Sequence, residues 1–223
     1  MKHPKVSVII AAYNQEKYIG RCLRSLLLQT LPQDYYEIIV VNDGSTDNTE
    51  YALTLFQNPD KSVVHIINNN KNIGLPASLN KGINFSKGKF IVRVDSDDYV
   101  NKNFLNLLSL YLETNEECNA VACDYLLVDD NENLISRENC IDNPIGCGIL
   151  FKKDSMHKTG LYDEKFRYHE DSDFRLRFEK DFQIDRLKIP LYRYRRHNNN
   201  ITNNTIKMNI YKDRLNKKHN LFF

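Results

Sequence analysis

The chain has 223 residues, 41% of them hydrophobic, and a formal net charge of +2. That length supports one domain with a full core, and a charge balance this even excludes a general nucleic-acid binder, which needs a clear basic excess. No run of about 18 apolar residues is present to span a membrane, and the five cysteines form no C-x-x-C pair, so reduced thiols are expected rather than a disulfide or zinc framework.

The opening Met1-Lys2-His3-Pro4-Lys5 leads directly into an apolar run, too short and interrupted for a signal peptide, so a cytoplasmic location is expected. Residues 6–11 read as a buried strand. Residues 16–29 carry Ile19, Leu23, Leu26 and Leu27 at helical spacing. A second strand over 37–41 ends in Asn42-Asp43-Gly44-Ser45. Ser45 or Thr46 is then expected to cap a helix reaching about Phe56. A third strand is expected over 63–67. A third helix over 75–86 is opened by Gly74 and Pro76. The fourth strand, 90–94, runs into Asp95-Ser96-Asp97-Asp98.

This β-α alternation predicts an α/β fold with a mostly parallel sheet covered by helices. Ligands in such sheets bind at the carboxyl ends of the strands. Tyr13-Asn14, Asn42-Asp43 and the Asp95–Asp98 cluster therefore converge on one rim.

The second half is less regular. A helix over 103–112, a strand over 120–128 and a hairpin returning through 134–136 are expected. A short strand follows at 148–152, with Asp154 capping a brief helix. Residues 171–178 read as helix, with Phe174 and Phe178 on one face. Strands at 184–187 and 191–194 are expected on either side of Pro190. The basic stretch 207–223 reads as an amphipathic segment for anionic lipid, or as a helix docked on the domain.

Three aspartates within four residues at the end of an apolar strand are costly to bury together. A solvated helix-capping turn would avoid that cost, but the strand feeds straight into the cluster. A divalent cation offsets the repulsion. Few carboxylates and oxygen ligands suit Mg²⁺ or Mn²⁺ holding substrate phosphates. The segment Glu170-Asp171-Ser172-Asp173 fits either the acidic first turn of a helix or a catalytic carboxylate, with Asp173 set to pair with Arg177 four residues on.

Seven segments in order resemble family 2 glycosyltransferases of the GT-A fold, over roughly residues 4–200. They are Val6-Ser7-Val8-Ile9-Ile10-Ala11-Ala12-Tyr13-Asn14; the run from Ile38 to Asp47; the run from Asn72 to Gly82; Asp95-Ser96-Asp97-Asp98; the run from Gly160 to Phe166; Glu170-Asp171; and the run from Arg193 to His197. The resemblance implies one GT-A domain over 1–204, with a nucleotide-sugar half (1–100), an acceptor half (101–204) and a basic tail (205–223). It implies transfer of a sugar, with inversion, from a nucleotide-sugar donor such as a UDP-sugar to a hydroxyl of a glycan or lipid-linked glycan. Surface polysaccharide synthesis is the expected setting, with peripheral contact at the inner membrane face and homo-oligomers both left open.

By the same resemblance, Tyr13 flanks the nucleobase and Asp43 accepts a hydrogen bond from it. Asp95 contacts ribose or sugar, Asp97 holds Mn²⁺ or Mg²⁺ with Asp95 beside it, and His197 completes the metal or diphosphate site. Asp171, with Glu170 adjacent, is the base. Ala11, Asn14, Gly74, Asn80, Ser96 and Arg196 join the donor contacts. One departure is Leu79, where many relatives carry arginine. A sugar-1-phosphate nucleotidyltransferase would need a glycine- and arginine-rich loop that residues 11–15 lack. A non-catalytic or partner-dependent nucleotide-sugar-binding protein is the reading from another class.

Overall fold

The computed structural model describes residues 3–57, 63–198 and 200–221. Among these residues nine strands form one mixed sheet: β1 (Val6–Ala12), β2 (Tyr36–Asn42), β3 (Val64–Asn68), β4 (Phe90–Arg93), β5 (Tyr99–Val100), β6 (Ala120–Val128), β7 (Leu134–Glu138), β8 (Ile149–Lys152) and β9 (Ile184–Arg195). The order is β3-β2-β1-β4-β8-β6-β9-β5, with β7 paired to β6. The first four strands are parallel neighbours, and β8 joins antiparallel to β4 and β6.

The helices are α1 (Ile19–Leu27), α2 (Thr49–Thr54), α3 (Leu75–Phe85), α4 (Phe104–Thr114), α5 (Lys153–Thr159), α6 (Glu170–Phe178) and α7 (Thr205–His219). Alternation along the strands sends Val8 and Ile10 to one face and Ile9 to the other. The first face meets Leu23 and Leu26 of α1, Leu53 of α2 and Phe104 and Leu108 of α4. The second meets Leu79 and Ile83 of α3, Met156 of α5 and Phe174 and Phe178 of α6. Burial on both faces explains why these strands are continuous apolar runs.

Four expectations are corrected. α1 starts at Ile19, not residue 16. Glu16 is drawn to the start of α2, where its Oε2 accepts from the Asn48 N–H at 2.8 Å, and its own N–H donates to Asp47. Neither Ser45 nor Thr46 caps α2. Asp47 Oδ1 accepts from the Thr49 N–H at 2.9 Å, and Ser45 and Thr46 bind Asn14 instead. Asp154 lies inside the first turn of α5, behind Lys152. Pro190 does not split a strand. β9 runs through it, and the pairing register with β6 shifts at Cys123 to Tyr125, a bulge that absorbs the missing N–H. The two-residue β5 was not foreseen.

The basic segment forms α7, which docks on α6. Leu215 is buried, Arg214 Nη1 donates to the Lys165 carbonyl, and Tyr211 packs against Phe166 and Tyr168. Phe222 and Phe223, at the end of the segment read as amphipathic, lie outside the described residues. Among the described residues no helix is long and apolar enough to cross a membrane.

Asp173 is the anchor of this contact. Its side chain is fully buried and binds Arg177 at 3.0 Å, Lys218 at 2.7 Å and His219 at 2.9 Å. Burial alone would push its carboxyl up. Hydrogen bonds from Lys218 and His219, with Arg177, outweigh that and hold it below the usual carboxylate range. Its stabilising contribution is therefore present above the unfolded value near 4 and lost as pH falls further. Asp173→Ala leaves Arg177, Lys218 and His219 without their shared carboxylate and is expected to destabilise by about 3 kcal/mol. Chemical denaturation checks the value, and faster amide exchange in α7 checks the mechanism.

Candidate active site

The carboxyl ends of β1, β2 and β4 open into a cleft of about 1100 Å³. That is the scale of a pocket for an extended polar ligand. Ala11, Tyr13, Asn14, Asp43, Gly74, Asp95, Ser96, Asp97, Glu170, Asp171 and Arg196 all line it.

Tyr13 stands 44% exposed at the mouth. Asn14 next to it has φ 54°, a left-handed conformation that asparagine tolerates. It ties β1 to the loop after β2: its N–H donates to Ser45 Oγ at 3.0 Å, and its Oδ1 accepts from the Thr46 N–H at 2.8 Å. Asp43 is 3% exposed. Its carboxylate accepts from the N–H groups of Ile73 and Gly74 and from Asn69 Nδ2, each at 2.9 Å. Those three donors leave about one acceptor position free of roughly four on a carboxylate. Holding the 72–74 loop against the cleft is therefore its first structural task. Gly44, with φ 70°, allows that close approach, since a Cβ would sit 2.6 Å from the Lys71 carbonyl carbon.

Asn80 does not reach the cleft, and its assignment to the donor contacts needs correcting. Its amide bridges the Tyr162 N–H and carbonyl and touches Glu164, so its polar atoms are spent joining α3 to the 160–166 segment. The departure at Leu79 has a structural counterpart, because Leu79 lies on the buried face of α3, in the core.

The acidic cluster divides by role. Asp98 is a buried strut: Tyr192 Oη donates to its Oδ2 and the Arg195 N–H to its Oδ1, each at 2.7 Å. Burial, with the charges of Asp97 and Asp95, pushes its carboxyl well up. Asp95 faces the cleft with both oxygens on Arg93, at 2.6 and 3.2 Å. Asp97 Oδ2 lies 2.9 Å from His197 Nε2, and the His197 ring stacks on Tyr18 at 4.7 Å.

Two sets of ligand atoms could meet a cation. The first is Asp95, Asp98 and Cys147, whose ligand atoms lie within 4.8 Å of one another. Its chemistry fits poorly: burial pushes the Cys147 thiol well up, keeping it protonated, and both Asp98 oxygens already accept hydrogen bonds. The second is Asp97 with His197, beside Asp95. It offers a cleft-lining carboxylate with a buried imidazole behind it, a donor set that suits Mn²⁺ or Mg²⁺.

His169, which also lines the cleft, takes φ 58° and turns the chain into α6. Glu170 and Asp171 thereby occupy the first helical turn, where the macrodipole favours negative charge. Asp171 Oδ1 accepts from the Ser172 N–H at 2.7 Å. Glu170 is buried, and its Oε1 accepts from Arg93 Nη1 at 2.9 Å. Burial pushes its carboxyl up to about 7, with Arg93 pulling against the shift and Asp171 adding to it.

A raised acid makes the folded state bind its proton more tightly than the unfolded chain. The Glu170 contribution to stability is therefore full below pH about 4.5 and lost as pH rises to about 7. Denaturation midpoints across that window are expected to fall more steeply for the wild type than for Glu170→Gln. Parallel curves would contradict the assignment.

Sequence reasoning overlooked Arg93, Gly146, Arg167, His169, Tyr194, Lys207 and Met208, all of which line the cleft. Arg93 had a signal, a lone cation inside an apolar strand. Lys207 and Met208 had none, because only the docking of α7 brings them there.

The chain and its sheet have known counterparts. The family model of glycosyl transferase family 2 matches residues 7–218. An uncharacterized glycosyltransferase of Haemophilus influenzae is 38% identical over 157 residues, 70% of this chain and 42% of its own length. TarS of Staphylococcus aureus, named a poly(ribitol-phosphate) beta-N-acetylglucosaminyltransferase, is 36% identical over 110 residues, 49% of this chain and 19% of its own length. Its 1–349 crystal structure in complex with UDP-GlcNAc superposes with a TM-score of 0.76 at 22% identity, covering 90% of this chain and 61% of that one. The mannosyltransferase PcManGT of Pyrobaculum calidifontis, in complex with GDP-Man and Mn²⁺, gives 0.76 at 17% identity over 99% and 65%. The chain thus spans less than half the length of the two curated relatives described. The fold is GT-A. With a family match over nearly the whole chain and the sheet order to go with it, the protein belongs to glycosyl transferase family 2.

Proposed function

We propose that the protein transfers a sugar from a UDP-sugar to a glycan hydroxyl, with inversion and with a divalent cation, in the synthesis of a surface polysaccharide. One observation carries this reading. Asp95 and Asp97, at the end of β4, line the same cleft as Asp171 from the second half of the chain, and His197 backs Asp97 at 2.9 Å. The UDP-GlcNAc bound by TarS supports the donor class, the Mn²⁺ of PcManGT supports the cation, and the poly(ribitol-phosphate) activity named for TarS supports the setting.

In this reading Tyr13 offers its face to the nucleobase, and the 72–74 loop held by Asp43 shapes the nucleoside end. Arg196 and Lys207, which also line the cleft, add positive charge near the diphosphate. Asp97 and His197, with Asp95, would hold the cation, whose chemistry is to neutralise charge on the departing diphosphate. Asp171 takes the proton of the acceptor hydroxyl. Glu170 is committed to Arg93 and is not free for that task. A single base suffices for direct displacement, which needs no covalent intermediate. Lipid contact through α7 belongs to the same proposal. Ile206 and Ile210 are exposed on it, while Arg214 and Lys218 turn onto the domain.

Release of nucleoside diphosphate from UDP-, GDP- and dTDP-sugars, with Mn²⁺ or with EDTA, tests the proposal. Metal-dependent release from a UDP-sugar is expected even without acceptor. A binding module would bind without release. Neither binding nor release from any donor would overturn the proposal.

A further inference from the structure

Arg93 is a cation inside the apolar strand β4, only 9% exposed. Burying a guanidinium costs several kcal/mol unless its donors are satisfied, and here they are. Nε and Nη2 grip both oxygens of Asp95, and Nη1 reaches Glu170 at 2.9 Å across 77 residues of sequence. The backbone repeats the link: the Gly148 N–H donates to the Arg93 carbonyl at 3.1 Å.

Gly146 closes the same unit. A Cβ there would lie 2.6 Å from Asp171 Cβ, 2.9 Å from Asp171 Oδ2 and 3.0 Å from Arg93 Nη1. No side chain fits without moving the Asp171 carboxylate or the guanidinium. The strand ladder and the buried Arg93–Glu170 pair allow neither to move freely.

We propose that Arg93 and Gly146 are positioning residues that fix the Asp171 carboxylate against the donor-side acids. The proposal rests on the reading of Asp171 as the base. Asp95, Glu170 and Asp171 converge from both halves of the chain, and their mutual repulsion would splay them. The planar fork of arginine satisfies two of them along fixed directions, which the single point charge of lysine cannot do. Glu170 precedes Asp171 directly, so pinning its side chain pins the first turn of α6. Asp171 is left as the member of the three with no bond to the guanidinium.

The test compares Gly146→Ala, Arg93→Lys, Glu170→Gln and the Arg93→Lys/Glu170→Gln double variant. The readouts are kcat, KM for acceptor, the Kd of UDP with Mn²⁺, and melting temperature. A misplacement of about 1 Å costs about 100-fold in rate. Gly146→Ala is therefore expected to lose about that much in kcat, with the UDP Kd changed less than about twofold. The double variant is expected to fall no further than Arg93→Lys alone, because both changes cut one link. Gly146→Ala keeps the test open if Arg93→Lys fails to fold. Wild-type kcat in folded Gly146→Ala, or losses in UDP affinity that match the losses in kcat, would overturn the proposal. Asp171→Asn separates the two failures: retained transfer there defeats the base itself. An inactive Asp171→Asn beside fully active Gly146→Ala and Arg93→Lys defeats only the positioning.

Discussion

Asp171→Asn is expected to lower kcat for sugar transfer by about 10²–10⁴-fold, the usual contribution of one positioned base, while leaving donor binding intact. The substitution keeps the shape of the side chain and the bond its Oδ1 accepts from the Ser172 N–H. What it removes is the ability to take a proton. An acceptor hydroxyl is a poor nucleophile until that proton leaves. Transfer rates with acceptor, set beside UDP-sugar titrations of the same variant, give both quantities. Unchanged transfer would reject the assignment. Glu170→Gln provides the contrast: its carboxyl is buried against Arg93, so its effect on rate should come through geometry and be smaller than that of Asp171→Asn.

Asp97→Ala is the second large effect expected. It removes a carboxylate that lines the cleft and leaves His197 Nε2 without the oxygen 2.9 Å away. A cation at the diphosphate stabilises leaving-group charge by several kcal/mol, and each 1.4 kcal/mol is about tenfold in rate. Transfer should fall at least about 100-fold, and the Mn²⁺ concentration for half-maximal activity should rise. Asp98→Asn should behave differently. Asp98 binds the Tyr192 hydroxyl and the Arg195 N–H in the interior, so its loss should appear first as a lower melting temperature. If Asp97→Ala kept its rate and its Mn²⁺ dependence while Asp98→Asn lost both, the cation would belong to the Asp95–Asp98–Cys147 group instead.

The sheet of the first half was legible because its signals are local. Residues 6–11, 37–41 and 63–67 are mostly apolar runs of strand length, and each strand end lies within one residue of the expected one. The position of the acids at strand ends follows from the same runs, since parallel strands point their carboxyl ends the same way. Side-chain commitments were not legible. Nothing near Asn80 signals that its amide is spent on Tyr162, 82 residues away. Nothing near Glu16 shows that its carboxylate would leave α1 for the start of α2.

The α/β class, the rim on which the acids gather and the helical turn that carries Glu170-Asp171 were all legible in the residues alone. Each depends on hydrophobic period and chain order, which a single segment contains. Which partners each acid meets is set by the fold alone. Asp97 meets His197 across 100 residues, Arg93 meets Glu170 across 77, and Gly146 makes room for both Arg93 and Asp171. A carboxylate's role is set by the donors around it and the water it loses, and those come from segments that only the folded sheet brings together.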